Sequence, residues 1–279
     1  MDSPIRPAAK VAASVGFVAI GRNEGERLVR CLDALTRLGD GVVYVDSGST
    51  DGSLEAARRF GAIVVELDRD TPFTAARARN AGFAALMKSR PDCEFVVFID
   101  GDCEIDAGFP QRAVAALQAN PSWGVVAGRV RETDRERSVY NRLCDFEWAG
   151  PVGDVAAVGG IFMIRSRIFE KIGGFNPDVV AAEDDELCIR VRAAGYSIRR
   201  TADEMCRHDA AMTSFRQWWR RAYRAGHAYA QVGALHRGYF AGQKRRALLW
   251  GLALPASAVA LAPFTAGLSL GGALALYAA

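Results

Sequence analysis

Two acids, Asp100 and Asp102, stand one glycine apart just after the apolar run Phe95-Val96-Val97-Phe98-Ile99. Carboxylates that close repel each other unless a cation or solvent lies between them. Their oxygens suit a hard divalent ion, Mn2+ or Mg2+, which would in turn hold phosphate oxygens. The alternative is a plain Asp-Gly-Asp surface turn. The apolar run reads as a strand buried on both faces. The acids then fall past its C-terminal end, where open α/β sheets bind ligands.

Four further segments carry chemistry, each with a structural alternative. Asp46 follows the run Val42–Val45 and opens a polar, glycine-bearing turn. A carboxylate there can accept hydrogen bonds from a base or ribose, while Asp51 and Ser53 can simply cap the next helix. That turn has no G-x-G-x-x-G, and no P-loop pattern occurs in the chain. Arg77 and Arg79, in Arg77-Ala78-Arg79-Asn80-Ala81-Gly82, offer planar donors to base or phosphate or form a solvated helix face. Glu183-Asp184-Asp185-Glu186 precedes a helical stretch, and acids favour a helix N-terminus. One so placed can also act as general base toward an acceptor hydroxyl. Gly173-Gly174-Phe175 lies before it, where backbone can approach a ligand. His208 offers an imidazole to Mn2+ or a similar ion, or is structural.

Alternating strand and helix patterns position these residues, which predicts an α/β fold with a largely parallel central sheet flanked by helices. Strands are predicted at Val15–Ile20, Val42–Val45, Ile63–Glu66, Glu94–Ile99 and Val125–Val130, with two more at Ala156–Ile164 and Ser197–Arg200. The helix after the first strand carries Leu28, Leu32, Leu35 and Leu38 on one face, with Asn23 as its cap and Gly39 at its end. Other helices are predicted at Ser53–Phe60, Thr74–Ser89, from Phe109 to Asn120, and at Glu186–Ala194. Arg131–Asp154 reads as helix plus loop. The apolar run Val11–Ile20 behind Arg6 and Lys10 has the look of a short signal peptide but reads better as the first strand, because a helix start follows at once.

The 279 residues are half hydrophobic with a net charge of +3, a globular composition. The charge is uneven. Between Arg207 and Arg246 nine Lys/Arg face one acid, Asp209, leaving 26 basic and 31 acidic residues elsewhere. Such a tail fits an anionic surface. Six scattered cysteines show no C-x-x-C pair and read as buried thiols in a reducing compartment. On a helical wheel Phe215, Trp218, Trp219, Ala222, Tyr223, Gly226 and Tyr229 oppose Arg216, Arg220, Arg224 and His227, which suits a helix lying in a lipid interface or one packed on the sheet. Nucleic acid is disfavoured, since no recognition motif accompanies the charge. Ala247–Ala279 carries no charge and exceeds the ~20 residues that span a bilayer. One kinked span or a two-span hairpin is expected there, or alternatively a buried helix. Lys244-Arg245-Arg246 beside it would place the body on the cytoplasmic side of a cell inner membrane. Three regions result: 1–210 catalytic, 211–246 a basic amphipathic helix, and 247–279 transmembrane.

The order of these pieces resembles family 2 glycosyltransferases with the GT-A (Rossmann-like) fold. Their Asn-Glu pair is matched by Asn23-Glu24. Their D-x-x-S-x-D-x-[ST] turn is matched by Asp46, Ser49, Asp51 and Ser53. Their Arg-Asn-x-Gly is matched by Arg79–Gly82, and their D-x-D by Asp100-Gly101-Asp102. Gly173–Phe175 and Glu183, Asp184, Glu186, Leu187 and Arg190 match the Gly-Gly-Phe turn and E-D-x-[DE]-L-x-x-R. The resemblance covers about residues 15–210. It implies that Asn23, Glu24, Asp46, Asp51, Arg79 and Asp100 hold the nucleotide-sugar donor. Asp100 and Asp102 would bind Mn2+ or Mg2+, with His208 as a third ligand. Asp184 would be the base of an inverting transfer, with Gly160, Glu183 and Asp185 on the acceptor side. The acceptor would be a glycan or a lipid-linked species in cell-surface or extracellular polysaccharide assembly. Gly21 departs from the usual proline, and Gln217-Trp218-Trp219-Arg220-Arg221 lacks the final tryptophan of Q-x-x-R-W. The second departure favours adding one or a few sugars over long-chain synthesis. A nucleotidyltransferase, or a non-catalytic nucleotide-sugar-binding membrane module, are the alternatives.

Overall fold

A computed structural model describes residues 14–278; the run 11–13, part of the signal-peptide reading, lies outside it. β1 (Val15–Gly21) is buried over nearly its whole length, with Phe17, Val18 and Ala19 fully enclosed. Helices cover both faces, which is why it reads as a continuous apolar run rather than an alternating one. α1 (Glu26–Leu38) follows and buries Leu28, Leu32, Leu35 and Leu38. Then come β2 (Val42–Asp46), α2 (Ser53–Arg59), β3 (Ile63–Glu66), α3 (Ala75–Ser89), β4 (Phe95–Asp100), β5 (Cys103–Ile105) and α4 (Phe109–Ala119). β6 (Trp123–Glu132), α5 (Val139–Trp148), β7 (Gly153–Asp154), β8 (Phe162–Arg165), α6 (Ser166–Lys171), α7 (Glu183–Ala193) and β9 (Ser197–His208) complete the sheet and its flanks.

The strand order is β3-β2-β1-β4-β8-β6-β9-β5, with β7 on β9. The half from β3 to β4 is parallel. β8 enters antiparallel between β4 and β6, so the sheet is mixed. α3 lies so close to β1 that a Cβ at Gly82 would meet Val18 Cγ1 at 2.3 Å. The core extends under the site through Phe98, Phe162, Phe169 and Phe175, whose ring centroids lie 5.0 to 6.2 Å apart.

Several expectations need correction. Asn23 does not cap α1; Gly25 precedes the helix and no side chain caps it. The strand expected over Ala156–Ile164 is limited to β8, and the preceding residues form a loop. β9 runs on to His208, because its second half pairs with both β5 and β6. α7 begins at Glu183, so the acids form its first turn rather than precede it.

The chain divides into two compact units, one reaching Trp219 and the other starting at Arg220. The boundary falls within α8 (Phe215–Leu235). In the second unit α9 (Ala241–Leu248) passes through a π-helical turn (Leu249–Ala253) into α10 (Leu254–Leu261), and α11 (Leu268–Ala278) folds back on it. Ser269 donates to the Ala258 carbonyl at 2.7 Å, and Tyr277 reaches the Trp250 carbonyl. Among the described residues no helix is long and apolar enough to cross a membrane, so the expected transmembrane segment is not found there. Ala266 and Gly267, both at positive φ, break the apolar run.

Candidate active site

Strand register lines up the site. Gly21 pairs with Asp46 and Ile20 with Asp100, so β2 and β4 end in acids on either side of β1. Asp46 is 2% exposed, and its carboxylate accepts from Tyr44 Oη at 3.1 Å and from the Gly48 and Ser49 amides at 2.8 Å each. It therefore shapes the turn after β2. Asn23 ties that turn to the loop after β1: its N–H donates to Ser49 Oγ and its Oδ1 accepts from the Thr50 amide at 2.7 Å. Asp51 completes the seam, accepting from the Gly25 and Ser53 amides.

Arg79 is the hub. Thr74 caps α3 by accepting from the Arg77 amide, and the helix carries Arg79 inward until it is 2% exposed. Its guanidinium donates to Asp100 Oδ1 at 2.8 Å and to Glu183 Oε1. It stands 5.4 Å from the Phe175 ring centroid. Gly160 lets it in, since a Cβ there would meet Nη2 at 2.2 Å. Arg77, by contrast, turns outward to Asp68. The neighbouring Asn80 grips the Gly-Gly-Phe turn, donating to the Phe175 carbonyl and accepting from the Phe175 amide at 2.8 and 2.9 Å. Arg190 holds the same turn from α7, donating to the Ile172 and Gly174 carbonyls and pairing with Glu186 at 2.6 Å. Three separated motifs are thus one hydrogen-bonded assembly.

Asp102 and His208 meet on a neighbouring strand pair, because Cys103 registers with His208. His208 Nε2 lies 3.1 Å from Asp102 Oδ2, and the imidazole stacks on Trp148 at 4.4 Å and 11°. Asp102, Cys103 and His208 have ligand atoms within 4.8 Å of one another. Burial, followed by Cys206 and then the nearby acids, raises the Cys103 thiol, so Asp102 and His208 are the better donors. Asp100, two residues away, is held by Arg79 rather than joined to that group. Burial raises the Glu24 carboxyl, and the Asp102 charge adds to it. Burial and Asp102 likewise raise Asp100. Three crowded carboxylates make a local negative field that fits a divalent cation.

A family model, "Glycosyl transferase family 2", matches residues 18–173, and a second, "N-terminal domain of galactosyltransferase", matches residues 146–212. The chain belongs to glycosyl transferase family 2. The transferase is 26% identical to the glycosyltransferase AglE of Haloferax volcanii over 77% of its own length and 72% of that protein. It is 29% identical to the probable glycosyltransferase YdaM of Bacillus subtilis over 63% of its length and 43% of that protein. Among solved structures it resembles a Pyrobaculum calidifontis mannosyltransferase complexed with GDP-Man and Mn2+, with a TM-score of 0.64, 24% identity, and 95% and 81% of the two chains covered. That likeness shows the GT-A-like fold.

In the transferase Asp184 is a strongly perturbed acid of the site. Burial, with repulsion from Glu183 and Asp185, pushes its carboxyl up to about 8. A Cβ at Gly159 would lie 3.9 Å from its Oδ2. Glu183 is bound by Arg79, and Asp185 donates its amide to Asp184 Oδ1 at 2.9 Å. Sequence reasoning missed Trp148 and the buried network beneath it. Glu132 accepts from Asn141 Nδ2 and from the Ala210 amide, and its own amide donates to Asp145. Glu132 registers with His208 across β6 and β9. The signal was there as polar residues in an otherwise unreadable segment, but their partners are distant in sequence.

Proposed function

We propose that this family 2 glycosyltransferase moves a sugar from a nucleoside diphosphate donor to an acceptor hydroxyl by one inverting displacement. One observation carries this reading: Arg79 bridges Asp100, at the donor end of β4, to Glu183, beside Asp184. Asp184 lies in surroundings that favour proton uptake near neutral pH, as a general base requires. It takes the hydroxyl proton as the acceptor oxygen attacks the anomeric carbon from the face opposite the departing diphosphate. Arg79 fixes Asp100 and Glu183 by paired charge-assisted bonds. Asn23, Asp46 and Asp51 shape the loop on which the nucleoside rests, and Glu24 closes it beside Asp102. Gly160 and Asp185 border the acceptor side.

Asp102 and His208 would hold Mn2+ or Mg2+, with Asp100 adding negative charge nearby, and the ion would supply Lewis-acid neutralisation of the leaving diphosphate. The Pyrobaculum calidifontis enzyme, solved with GDP-Man and Mn2+, supports this assignment. A lipid-linked or glycan acceptor at the cytoplasmic face of a membrane fits the second unit, whose apolar residues Leu252, Val259, Leu261, Phe264, Leu268 and Leu274 are exposed. Incubation with nucleotide sugars tests the reaction: free nucleoside diphosphate is expected. Pyrophosphate released from a nucleoside triphosphate would instead mark a nucleotidyltransferase.

A further inference from the structure

A pocket opens beside Trp148. It holds about 150 Å3 and is lined by Arg129, Trp148, Gly150, Arg200 and Thr201 among others, with no acidic side chain. That is room for about five waters at ~30 Å3 each, enough for a phosphate group. Arg129 reaches it from β6 and Arg200 from β9. Neither guanidinium makes an ion pair among the described residues. Arg129 Nε is buried without a hydrogen-bond partner. Arg200 lies directly against the Gly150 backbone, where a Cβ would stand 1.5 Å from Nη1. Burial lowers the Arg200 pKa, so this cation has lost water without gaining an anion. Two partly buried arginines lining a concave space without an acid suit an anion, because guanidinium matches phosphate oxygens in a bidentate way. The pocket also adjoins the site already described, since Trp148 lines it and stacks on His208.

We propose that this pocket binds a phosphate carried by the acceptor, with Arg129 and Arg200 as its ligands. The proposal rests on the transferase reading and adds the acceptor's chemical class to it. A phosphate seated there sets how far the acceptor reaches toward the reacting centre. An acceptor without phosphate loses that anchor. The phosphate belongs either to a lipid-linked acceptor or to a soluble phosphorylated one, and the two are separable by probe.

The test is calorimetric titration of the full chain with geranyl phosphate, glycerol 3-phosphate and neutral glycerol. Mg2+ and a nucleoside diphosphate are kept saturating, so that the donor side is already filled. Wild type is expected to bind at least one phosphate and not glycerol. Tighter binding of geranyl phosphate identifies a lipid-linked source, and equal binding a soluble one. Arg129→Gln and Arg200→Gln are each expected to weaken phosphate binding at least about tenfold, the loss of one charge-assisted hydrogen bond, with Arg129→Lys in between. Nucleoside diphosphate affinity and Tm should stay at wild-type values. If Arg200→Gln fails to fold, Arg129→Gln decides alone. No phosphate binding by wild type, or full binding by a folded Arg129→Gln protein, overturns the proposal. Failure of nucleoside diphosphate binding in wild type would instead count against the transferase reading itself.

Discussion

Two aspartates of this site have opposite electrostatics because of what surrounds them. Burial would raise the Asp102 carboxyl, but the hydrogen bond from His208 outweighs it and holds the group below its ordinary range. At Asp184 burial and repulsion from Glu183 and Asp185 outweigh the nearby Arg79 and raise the carboxyl to about 8. We expect Asp102→Asn to remove the gain in nucleoside diphosphate affinity on adding Mn2+, measured by titration with and without the metal. Asp184 must be ionised to act, so kcat/KM should rise about tenfold per pH unit up to about 8 and then level. Asp184→Asn should lower kcat by about 10²–10⁴ without weakening donor binding. The same shift sets stability. Folded Asp184 keeps its proton up to about pH 8, whereas an unfolded aspartate releases it near about 4. Between those values the folded chain binds the extra proton, so this group's contribution falls as pH rises. Thermal melting of Asp184→Asn should therefore match wild type near pH 4 and exceed it increasingly toward pH 8. Both aspartates were legible in the sequence from their neighbours. Their opposite pKa shifts were not, since these depend on His208 across the sheet and on burial.

At the scale of elements, the motifs prove to be contacts. Arg79 and Asn80 are adjacent on α3 but serve different partners, one the acids at Asp100 and Glu183, the other the Phe175 turn. Gly160 is a stringent test of that packing. The guanidinium it touches is the end of a long side chain, but two acids hold it in place. Gly160→Ala should cost about 1–3 kcal/mol, as overpacking does, and lower turnover at least tenfold. Gly159→Ala, with only an ordinary contact to Asp184, should melt near wild type; thermal denaturation and donor turnover check both. The long central elements were readable because β1 is apolar throughout, β2 and β4 are largely apolar up to their terminal acids, and α1 repeats leucine on one face. β5 has only three residues, and the outer half of β9 sets Met205 and Cys206 between the pairs Asp203-Glu204 and Arg207-His208, so neither shows a burial pattern without its partner. Asn23 read as a cap because Glu26 follows at the right spacing, yet its polar group goes to the neighbouring loop.

At the scale of the molecule, the chain joins a catalytic unit to a short helical one. The uncharged C-terminal run read as one kinked span or a two-span hairpin; in the structure it turns at Ala266 and Gly267, both at positive φ. Its exposed leucines, with Arg245 and Arg246 on α9, suit a surface-bound state in lipid headgroups. The basic residues should contribute about 1 kcal/mol each on anionic lipid. Replacing Arg245 and Arg246 by Gln together should thus weaken binding to phosphatidylglycerol vesicles about thirtyfold at low salt and little at high salt, measured by co-sedimentation. Equal binding of both proteins would remove charge from the account. The composition announced the basic tail; how it folds depended on two backbone angles.

The ring stack between Trp148 and His208 gives the enzyme an optical readout of its own. Burial would lower the imidazole pKa, but the Asp102 hydrogen bond raises it, and a protonated imidazole quenches an indole in contact with it. Trp148 emission, isolated by difference from a Trp148→Phe protein, therefore brightens as the ring loses its proton, and the midpoint of that change reads out the charge of His208 without any added dye.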